Sequence, residues 1–157
     1  MGDITIRPAV SADLGDLGRL AGELVRLHHA ADPARFFLVD RVEEGYSWWF
    51  SRELSNAESV ILVANDAAKV VGYAYGALEE RNWNLLLDAH GAVHDLFVDP
   101  TERRAGVGRK LMNALVTELE KKGASRIVLS TMVSNTSAQH LFEGCGFRPT
   151  MLEMTRG

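Results

Sequence analysis

A short glycine-bearing loop constrains this chain more than any other segment. Residues 103–108 read Arg-Arg-Ala-Gly-Val-Gly and lie between an apolar run, Val93–Val98, and an amphipathic stretch, Gly108–Lys122. This order predicts a strand that passes through a tight turn into a helix. The first N–H groups of a helix have no partner inside it, and the helix dipole adds partial positive charge there. The loop therefore predicts an anion site of the kind that binds phosphate, and the alternative is an ordinary helix start with a solvated basic patch.

The sequence of this loop does not match two commoner phosphate-binding motifs. A Walker-type loop with Gly108 as its second glycine needs glycine at position 103 and lysine at position 109, and both residues are arginine. A dinucleotide fingerprint that begins at Gly106 needs glycine at position 111, which is leucine. The sequence therefore excludes both classes for this loop.

Composition favours one globular domain over residues 1–157. The chain is 46% hydrophobic and 24% charged, which allows a substantial core. No apolar run approaches the ~20 residues of a membrane span, and no basic region followed by an apolar stretch begins the chain, so we expect a cytoplasmic protein without membrane contact. The net charge of −4 argues against nucleic acid as a partner.

Cysteine and histidine usage gives no indication of a metal site. The single cysteine, Cys145, excludes an intramolecular disulfide and a multi-cysteine zinc site. His28, His29 and Asp32 have a spacing that could hold a metal, but no second ligand group accompanies them. We therefore expect a polar helix end at these residues and no metal.

Hydrophobic periodicity predicts the element order β-α-α-β-β-β-α-β-α-β, with a final hairpin as an option. The predicted helices begin at Ser11, Asp40, Gly108 and Asn135. The predicted strands are Ile4–Ile6, Val60–Ala64, Val70–Leu78, Val93–Val98, Ile127–Leu129 and the last strands at Phe147 and Met151–Met154. Because strands and helices alternate only in part, we expect a mixed sheet flanked by helices, formally α/β or α+β.

Three motifs in this order resemble the GNAT superfamily of N-acetyltransferases over nearly the whole chain. The first is Leu-Phe-Val-Asp-Pro at 96–100, and the second is Arg-x-x-Gly-x-Gly at 103–108. The third runs from Asn135 through Ala138 to Leu-Phe-Glu at 141–143 and is followed by Gly-Phe at 146–147. The strand at 94–98 is similar to that of the polyamine and diamine acetyltransferases, which usually carry glutamate where this chain has His94.

The resemblance implies a particular fold and co-substrate. The fold would be a mixed, mostly antiparallel sheet of six to seven strands flanked by four helices, with a V-shaped splay between the central strands. The co-substrate would be acetyl-CoA, with its pyrophosphate on the N–H groups of residues 104–109 and its pantetheine arm along the strand at 96–98. The implied cofactor-binding residues are Leu96, Phe97, Val98, Arg103, Arg104, Ala105, Gly106, Val107, Gly108, Arg109, Asn135, Ala138 and Phe142.

The implied activity is the transfer of an acetyl group to a primary amine. The amine, on a small cationic molecule, would attack the thioester directly in a ternary complex, without a covalent enzyme intermediate. A non-catalytic acyl-CoA-binding or sensing domain and a protein N-acetyltransferase are the alternatives. Many members of the superfamily are homodimers, and the sequence leaves the oligomeric state open.

Three residues are candidates for accepting the proton that the ammonium must lose before attack, namely His94, Glu79 and Glu80. Strand alternation predicts that His94 shares a face with Leu96 and that Asp95 points the other way. A histidine in that position is a sensible base near neutral pH. The alternatives are a histidine bonded to backbone and two solvated loop carboxylates.

Position 142 departs from the family pattern. The residue after Leu141 is normally a tyrosine that acts as general acid towards the CoA sulfur, and this chain has Phe142. Phenylalanine cannot donate a proton. The thiolate would leave unassisted or with help from water, or the activity would be low, and Phe142 would in any case serve as a core residue.

The acceptor side would be built by residues 28–50 and 79–92, which mix aromatic and acidic side chains. Within this region Trp49 is predicted to join the core stripe of Tyr46 and Phe50. Trp48 is predicted to face the acceptor slot or a partner subunit. These residues are consistent with an amine acceptor but do not identify it.

Overall fold

The computed structural model describes residues 3–67 and 69–157, except for the side chains of Arg104 and Ala105. It contains five strands, namely β1 (Ile4–Pro8), β2 (Ser59–Asp66), β3 (Lys69–Glu79), β4 (His90–Val98) and β5 (Ile127–Leu129). Its four helices are α1 (Leu14–Ala31), α2 (Val42–Glu53), α3 (Val107–Lys121) and α4 (Thr136–Gly144). Short 3-10 turns at Ser11–Asp13 and Pro100–Ala105 lead into α1 and α3. No helix within the described ranges is long and apolar enough to cross a bilayer.

The strands form one sheet in the order β1-β2-β3-β4-β5. The first three pairings are antiparallel, and β4 pairs with β5 in parallel. This arrangement confirms the predicted mixed, mostly antiparallel sheet with four helices. The hairpin of β2 and β3 also forms as predicted, although Ala68 in its turn lies outside the described residues.

The predicted count of six to seven strands is not confirmed, because the sheet has five. The strands expected at Phe147 and Met151–Met154 are absent from the described chain, and residues 147–157 contain no strand. Backbone hydrogen bonds from residues 148–157 to the sheet are likewise absent among the described residues. Met151 and Met154 are 83% and 85% exposed, so the apolar pattern that suggested strands does not face the core.

The sheet has a core on each face. Between the sheet and α3, the side chains of Leu111, Met112, Leu115 and Leu119 are fully buried, as their helical spacing predicts. On the other face, α1 and α2 bury Leu17, Leu20 and Phe50 against the aromatic residues of the sheet. Burying one such side chain contributes about 1.5–3 kcal/mol, so α3 and α1 are held firmly to opposite faces.

Two irregularities interrupt the pairing of β4. Its ladder with β5 covers only Gly91–Val93, so the rest of its outer edge has no β5 partner. Its ladder with β3 shifts register, because Tyr75 pairs with Asp95 whereas Gly76 pairs with Val93. The residue between them is therefore an extra one, which defines a β-bulge. Gly76 permits this close approach, since a Cβ there would lie 2.6 Å from the carbonyl oxygen of Ala92.

A partly buried ion pair joins β1 to the 3-10 turn before α1. Two guanidinium nitrogens of Arg7 donate to the Asp13 carboxylate at 2.8 and 3.0 Å, and the Val10 backbone N–H donates to it at 2.8 Å. The Asp13 side chain is only 6% exposed. The hydrogen bonds from Arg7, more than any other interaction, hold the pKa of Asp13 below its usual value.

Replacing Asp13 by asparagine should therefore destabilise the fold by about 1–3 kcal/mol at pH 7, because a charged hydrogen-bonding partner of Arg7 is lost. The folded-state pKa of Asp13 lies below the unfolded one. This stabilisation is therefore complete above the unfolded-state pKa and is lost as pH falls through the folded-state pKa. Urea unfolding at neutral and acidic pH measures both effects, and the difference between wild type and variant should shrink in acid.

The matched control is Asp16→Asn, one turn along. Asp16 is 43% exposed and lies 3.4 Å from Arg19, so its loss should change the free energy of unfolding by less than about 1 kcal/mol. Equal destabilisation by the two substitutions would contradict the special role of Asp13.

Candidate functional site

The glycine loop forms the start of α3, as the sequence predicts. Gly106 is the N-cap of this helix and has a φ of 68°, a conformation that glycine adopts without strain. A Cβ at Gly106 would meet nothing within 4 Å, so the space beside the loop is open. A Cβ at Gly108 would lie 3.6 Å from Leu141 and 3.9 Å from Val98. The start of α3 is thus next to both α4 and the end of β4.

The arginines of the loop have different surroundings. The Nε of Arg103 donates to the carbonyl oxygen of Val98 at 3.0 Å, and its guanidinium lies 5.4 Å from the ring centre of Phe97. Arg103 therefore fixes the loop to the end of β4. The guanidinium of Arg109 lies against Gly144 of α4. The side chains of Arg104 and Ala105, which were also predicted to bind the cofactor, lie outside the described part of the structure.

Helix α4 closes this side of the loop. The Oδ1 of Asn135 accepts a hydrogen bond from the N–H of Ala138 at 3.1 Å, so Asn135 is the N-cap of α4. Phe142 is half-buried against the core of α3, with its ring edge-on to Phe147 at 6.3 Å. Its packing supports the interpretation of Phe142 as a core residue. The predicted cofactor-binding segments thus meet at the end of β4.

The bulge in β4 brings the candidate bases together. The Nε2 of His94 lies 2.8 Å from Oε1 of Glu79, and the ring of His94 lies 5.2 Å from that of Tyr75. Next to it, Asp95 accepts a hydrogen bond from the Tyr73 hydroxyl at 3.0 Å. Glu80, the third candidate, is exposed after the end of β3 and does not line the cavity that His94 and Glu79 share. The structure therefore unites two of the three predicted residues.

The prediction that His94 and Asp95 point to opposite faces was wrong. Alternation placed His94 with Leu96, but His94 is the extra residue of the bulge, and period-two alternation does not hold across a bulge. Both His94 and Asp95 line one cavity, on the face of the sheet that carries Tyr75.

The cavity beside the bulge has a volume of about 500 Å³, which suits a small ligand. Its described lining includes four carboxylates and neither lysine nor arginine. Sequence reasoning had singled out its residues at 79, 94 and 95 but missed those that follow α2, for which no motif gave a signal. The main polar and aromatic lining residues are Tyr46, Trp49, Glu53, Asn56, Glu58, Ser59, Tyr75, Glu79, His94 and Asp95.

Burial shifts the protonation of the groups deepest in this cavity. Desolvation raises the pKa of Asp95, and the hydrogen bond from Tyr73 offsets part of that shift. Burial also raises the pKa of Tyr75 to about 12 and that of Tyr73 well above its usual value. Both phenols are therefore protonated at neutral pH and are available as hydrogen-bonding groups.

The prediction that Trp49 joins the core was wrong, because Trp49 lines the cavity and is 40% exposed. Trp48 does not line this cavity and is 59% exposed beneath the guanidinium of Arg52. The buried stripe of α2 runs through Val42 and Phe50, and Trp49 falls at its edge.

The histidines at the end of α1 have structural partners. The Nδ1 atoms of His28 and His29 lie 2.8 Å from the carbonyl oxygens of Leu24 and Phe36. These contacts favour the predicted polar helix end.

Comparison with known proteins relates this geometry to a family. A model of the acetyltransferase (GNAT) family matches residues 23–147. The ribosomal protein bS18-alanine N-acetyltransferase of Escherichia coli (strain K12) is 42% identical over 53 residues, which cover 34% of this chain and 36% of that protein. The chain thus matches little more than a third of the length of this curated relative.

Two crystal structures share the fold over nearly the whole chain. One is a mutant protein from Bacillus halodurans, with a TM-score of 0.83, 22% identity and 98% coverage of both chains. The other is a predicted acetyltransferase with acetyl-CoA from Clostridium acetobutylicum, with a TM-score of 0.74 and 18% identity. That match covers 98% of this chain and 96% of the other. At these identities the likeness concerns the fold alone.

Proposed function

The chain belongs to the GNAT family of acetyltransferases, and on this basis we propose that it is an acetyl-CoA-dependent N-acetyltransferase that acts on a primary amine. The observation that carries the proposal is the interrupted pairing of β4. On one edge, β4 has no strand partner beyond Val93 among the described residues. On the other edge, the bulge directs the side chains of both His94 and Asp95 towards the acidic cavity. A thioester on the open edge and an amine in the cavity would meet at this strand.

The residues around the loop fit acetyl-CoA as a co-substrate. The N–H groups that begin α3 provide donors and partial positive charge for the pyrophosphate, and the open space at Gly106 leaves room for it. The edge of β4 at Leu96–Val98 has no β5 partner. Its outward backbone groups, other than the Val98 carbonyl that accepts from Arg103, are therefore available to the amides of the pantetheine arm. The side-chain amide of Asn135, whose oxygen caps α4, is the further group proposed to reach that arm.

His94 is the proposed base. Its Nε2 lies 2.8 Å from Oε1 of Glu79, which favours the neutral tautomer with its proton on Nε2 and leaves Nδ1 to accept a proton from the substrate ammonium. The free amine then attacks the thioester carbonyl carbon, and a backbone N–H of β4 near Val98 stabilises the oxyanion. The attack forms the N–C bond, and water takes the remaining proton of the attacking nitrogen. Collapse of the tetrahedral intermediate restores the C=O bond and breaks the C–S bond, so that CoA leaves as the thiolate. A thiol with a pKa near ~8.5 leaves without a general acid, which is consistent with Phe142.

Gly106→Glu should abolish the rise in melting temperature that acetyl-CoA or CoA causes in the wild-type protein. A side chain and a negative charge would then occupy the proposed pyrophosphate site. Thermal denaturation with and without CoA measures this. A folded variant that still responds to CoA would place the phosphate site elsewhere.

Gly123→Glu is the control for strain. Gly123 follows the other end of α3, has a φ of 107° and also has open space for a Cβ. Both variants should lose stability, since a non-glycine residue in the left-handed region costs about 1–2 kcal/mol. Only Gly106→Glu should lose the response to CoA.

His94→Gln should lower kcat/KM for an amine by about 10²–10⁴-fold, because the proton acceptor is removed. The affinity for CoA should stay nearly unchanged, since His94 lies on the cavity side of β4. A folded variant with full activity would exclude His94 as the base.

Two substitutions serve as controls for this experiment. His90 lies on the same strand but outside the cavity lining, so His90→Gln should retain activity. Glu79→Gln and Glu80→Gln distinguish the roles of the two carboxylates. Only Glu79→Gln should lower kcat/KM, since only Glu79 contacts His94.

Where departure of the thiolate limits turnover, Phe142→Tyr should raise kcat and leave the KM for acetyl-CoA unchanged, because a phenol beside the proposed sulfur position can protonate the thiolate. The added hydroxyl is structurally mild on a half-buried ring. Phe147→Tyr, on the ring packed against Phe142, is the control and should leave kcat unchanged. Thiol release measures both. No gain at unchanged stability would mean that thiolate departure does not limit turnover or that the ring points elsewhere.

A further inference from the structure

We propose that the C-terminal segment 148–157 and the loop 32–41 between α1 and α2 form a two-part lid on the acceptor side of the site, and that the ion pair of Glu153 with Arg35 is its latch. The closed lid keeps the amine beside the thioester, and the open lid lets acceptor and product exchange. This proposal rests on the proposed function, because it concerns access to the same site.

The C-terminal segment is attached at two points. At its start, the Phe147 N–H donates to the carbonyl oxygen of Phe142 at 3.0 Å, and the two rings pack edge-on. Beyond this point, the described structure gives residues 148–157 no backbone hydrogen bond. The second attachment is the carboxylate of Glu153, which accepts hydrogen bonds from Nε and Nη2 of Arg35 at 2.5 and 2.9 Å. The latch thus joins two segments that are far apart in the sequence.

The segment connects the two faces of the sheet. Phe142 and Phe147 pack on the core beneath α3, whereas Arg35 follows α1, which contacts β4 from the opposite face. The six residues from Phe147 to Glu153 span at most about 20 Å. A path around β1 would cross three strand spacings of ~4.8 Å twice and is too long. The segment therefore passes on the β5 side of β4, where Leu96–Val98 have no β5 partner.

The loop that receives Glu153 is ordered by its own contacts. The N–H groups of Arg35 and Phe36 donate to the carbonyl oxygen of Asp32 at 3.2 and 3.0 Å, and Nδ1 of His29 lies 2.8 Å from the carbonyl oxygen of Phe36. The guanidinium of Arg35 lies 4.8 Å from the ring centre of Phe36. Arg35 is therefore held in position, and the latch couples the C-terminal segment to a loop on the expected acceptor side.

The latch is suited to open and close. The side chains of Arg35 and Glu153 are 41% and 66% exposed. Hydrogen bonds from Arg35 hold the pKa of Glu153 below its usual value, so the carboxylate is ionised at neutral pH. Exposed ion pairs are weak and are screened by salt, so this pair favours the closed lid only about two- to fivefold.

Both parts of the lid carry exposed apolar side chains beside the latch. Exposed apolar groups that lie close together mark surfaces for a ligand or a partner. The amine acceptor is the ligand that a lid at this place would cover. The exposed residues are Phe37, Leu38 and Val39 on the loop, and Met151, Leu152 and Met154 on the C-terminal segment.

Hydrogen–deuterium exchange with mass spectrometry measures the latch without any acceptor. In Glu153→Gln, the amides of residues 32–41 should exchange about two- to fivefold faster than in wild type, because the charged partner of Arg35 is lost. Sodium chloride at about 0.5 M should cause the same increase in wild type and little further increase in the variant. The double variant Arg35→Glu with Glu153→Arg reverses the pair and should restore most of the protection.

The matched control is Glu118→Gln. Glu118 forms an exposed ion pair with Lys121 at 3.3 Å on α3. The same chemical change there should leave the exchange of residues 32–41 at the wild-type rate.

Steady-state kinetics with butylamine at saturating acetyl-CoA tests the consequence for the site. Glu153→Gln should raise the KM for butylamine about two- to fivefold without lowering kcat, because the lid holds the acceptor and takes no part in proton transfer. The KM for acetyl-CoA should stay unchanged. The reversed pair should bring the KM for butylamine back towards wild type, and Glu118→Gln should not change it.

The outcomes separate this proposal from the proposed function. Unchanged exchange of residues 32–41 in Glu153→Gln overturns the latch. Faster exchange with an unchanged KM for butylamine overturns the role of the lid in holding the acceptor. A thermal response to CoA with no turnover of butylamine or any other primary amine overturns the proposed function and with it the lid, while the exchange rates still decide whether the latch exists.

Discussion

The candidate site depends on the interrupted hydrogen bonding of β4. A regular strand with partners on both edges uses its backbone groups in the sheet and alternates its side chains between the two faces. In this strand the ladder with β5 ends at Val93, and the ladder with β3 contains a bulge at His94. One length of backbone is therefore free for a ligand, and two adjacent polar side chains face one cavity. The two halves of the proposed reaction meet here because the sheet is irregular.

Local sequence patterns were sufficient for most of the framework. The stripe from Leu111 to Leu119 specifies α3, and two apolar runs joined by a polar turn specify the hairpin of β2 and β3. The three motifs indicated the GNAT family, which the match over residues 23–147 confirms. Each of these features depends on residues that are close together in the chain, within one helix, one hairpin or one motif. A single sequence is therefore sufficient to predict it.

The features that the sequence did not reveal depend on contacts between distant segments. The sequence around His94 contains no signal for a bulge. The bulge arises where Gly76 of the neighbouring strand approaches the backbone of Ala92. Met151–Met154 has the composition of a strand, but no strand of the described chain pairs with it. The contact of Glu53 with Ser59 depends on the path of the chain between α2 and β2, and no sequence motif predicts this path.

The placement of negative charge says more about the substrate than the net charge of −4 does. Several carboxylates elsewhere on the molecule pair with arginine, as in Asp13–Arg7, Glu43–Arg26, Glu153–Arg35 and Asp88–Arg81. In the cavity, Glu79 pairs only with a histidine, and the described structure gives Glu53, Glu58 and Asp95 no cationic side chain. Gathering like charges in a partly desolvated space opposes folding. A bound cationic amine, the acceptor class proposed here, would relieve that repulsion and would stabilise the native state more as its concentration exceeds its dissociation constant. The uncompensated charge is thus a structural cost that such a substrate would offset.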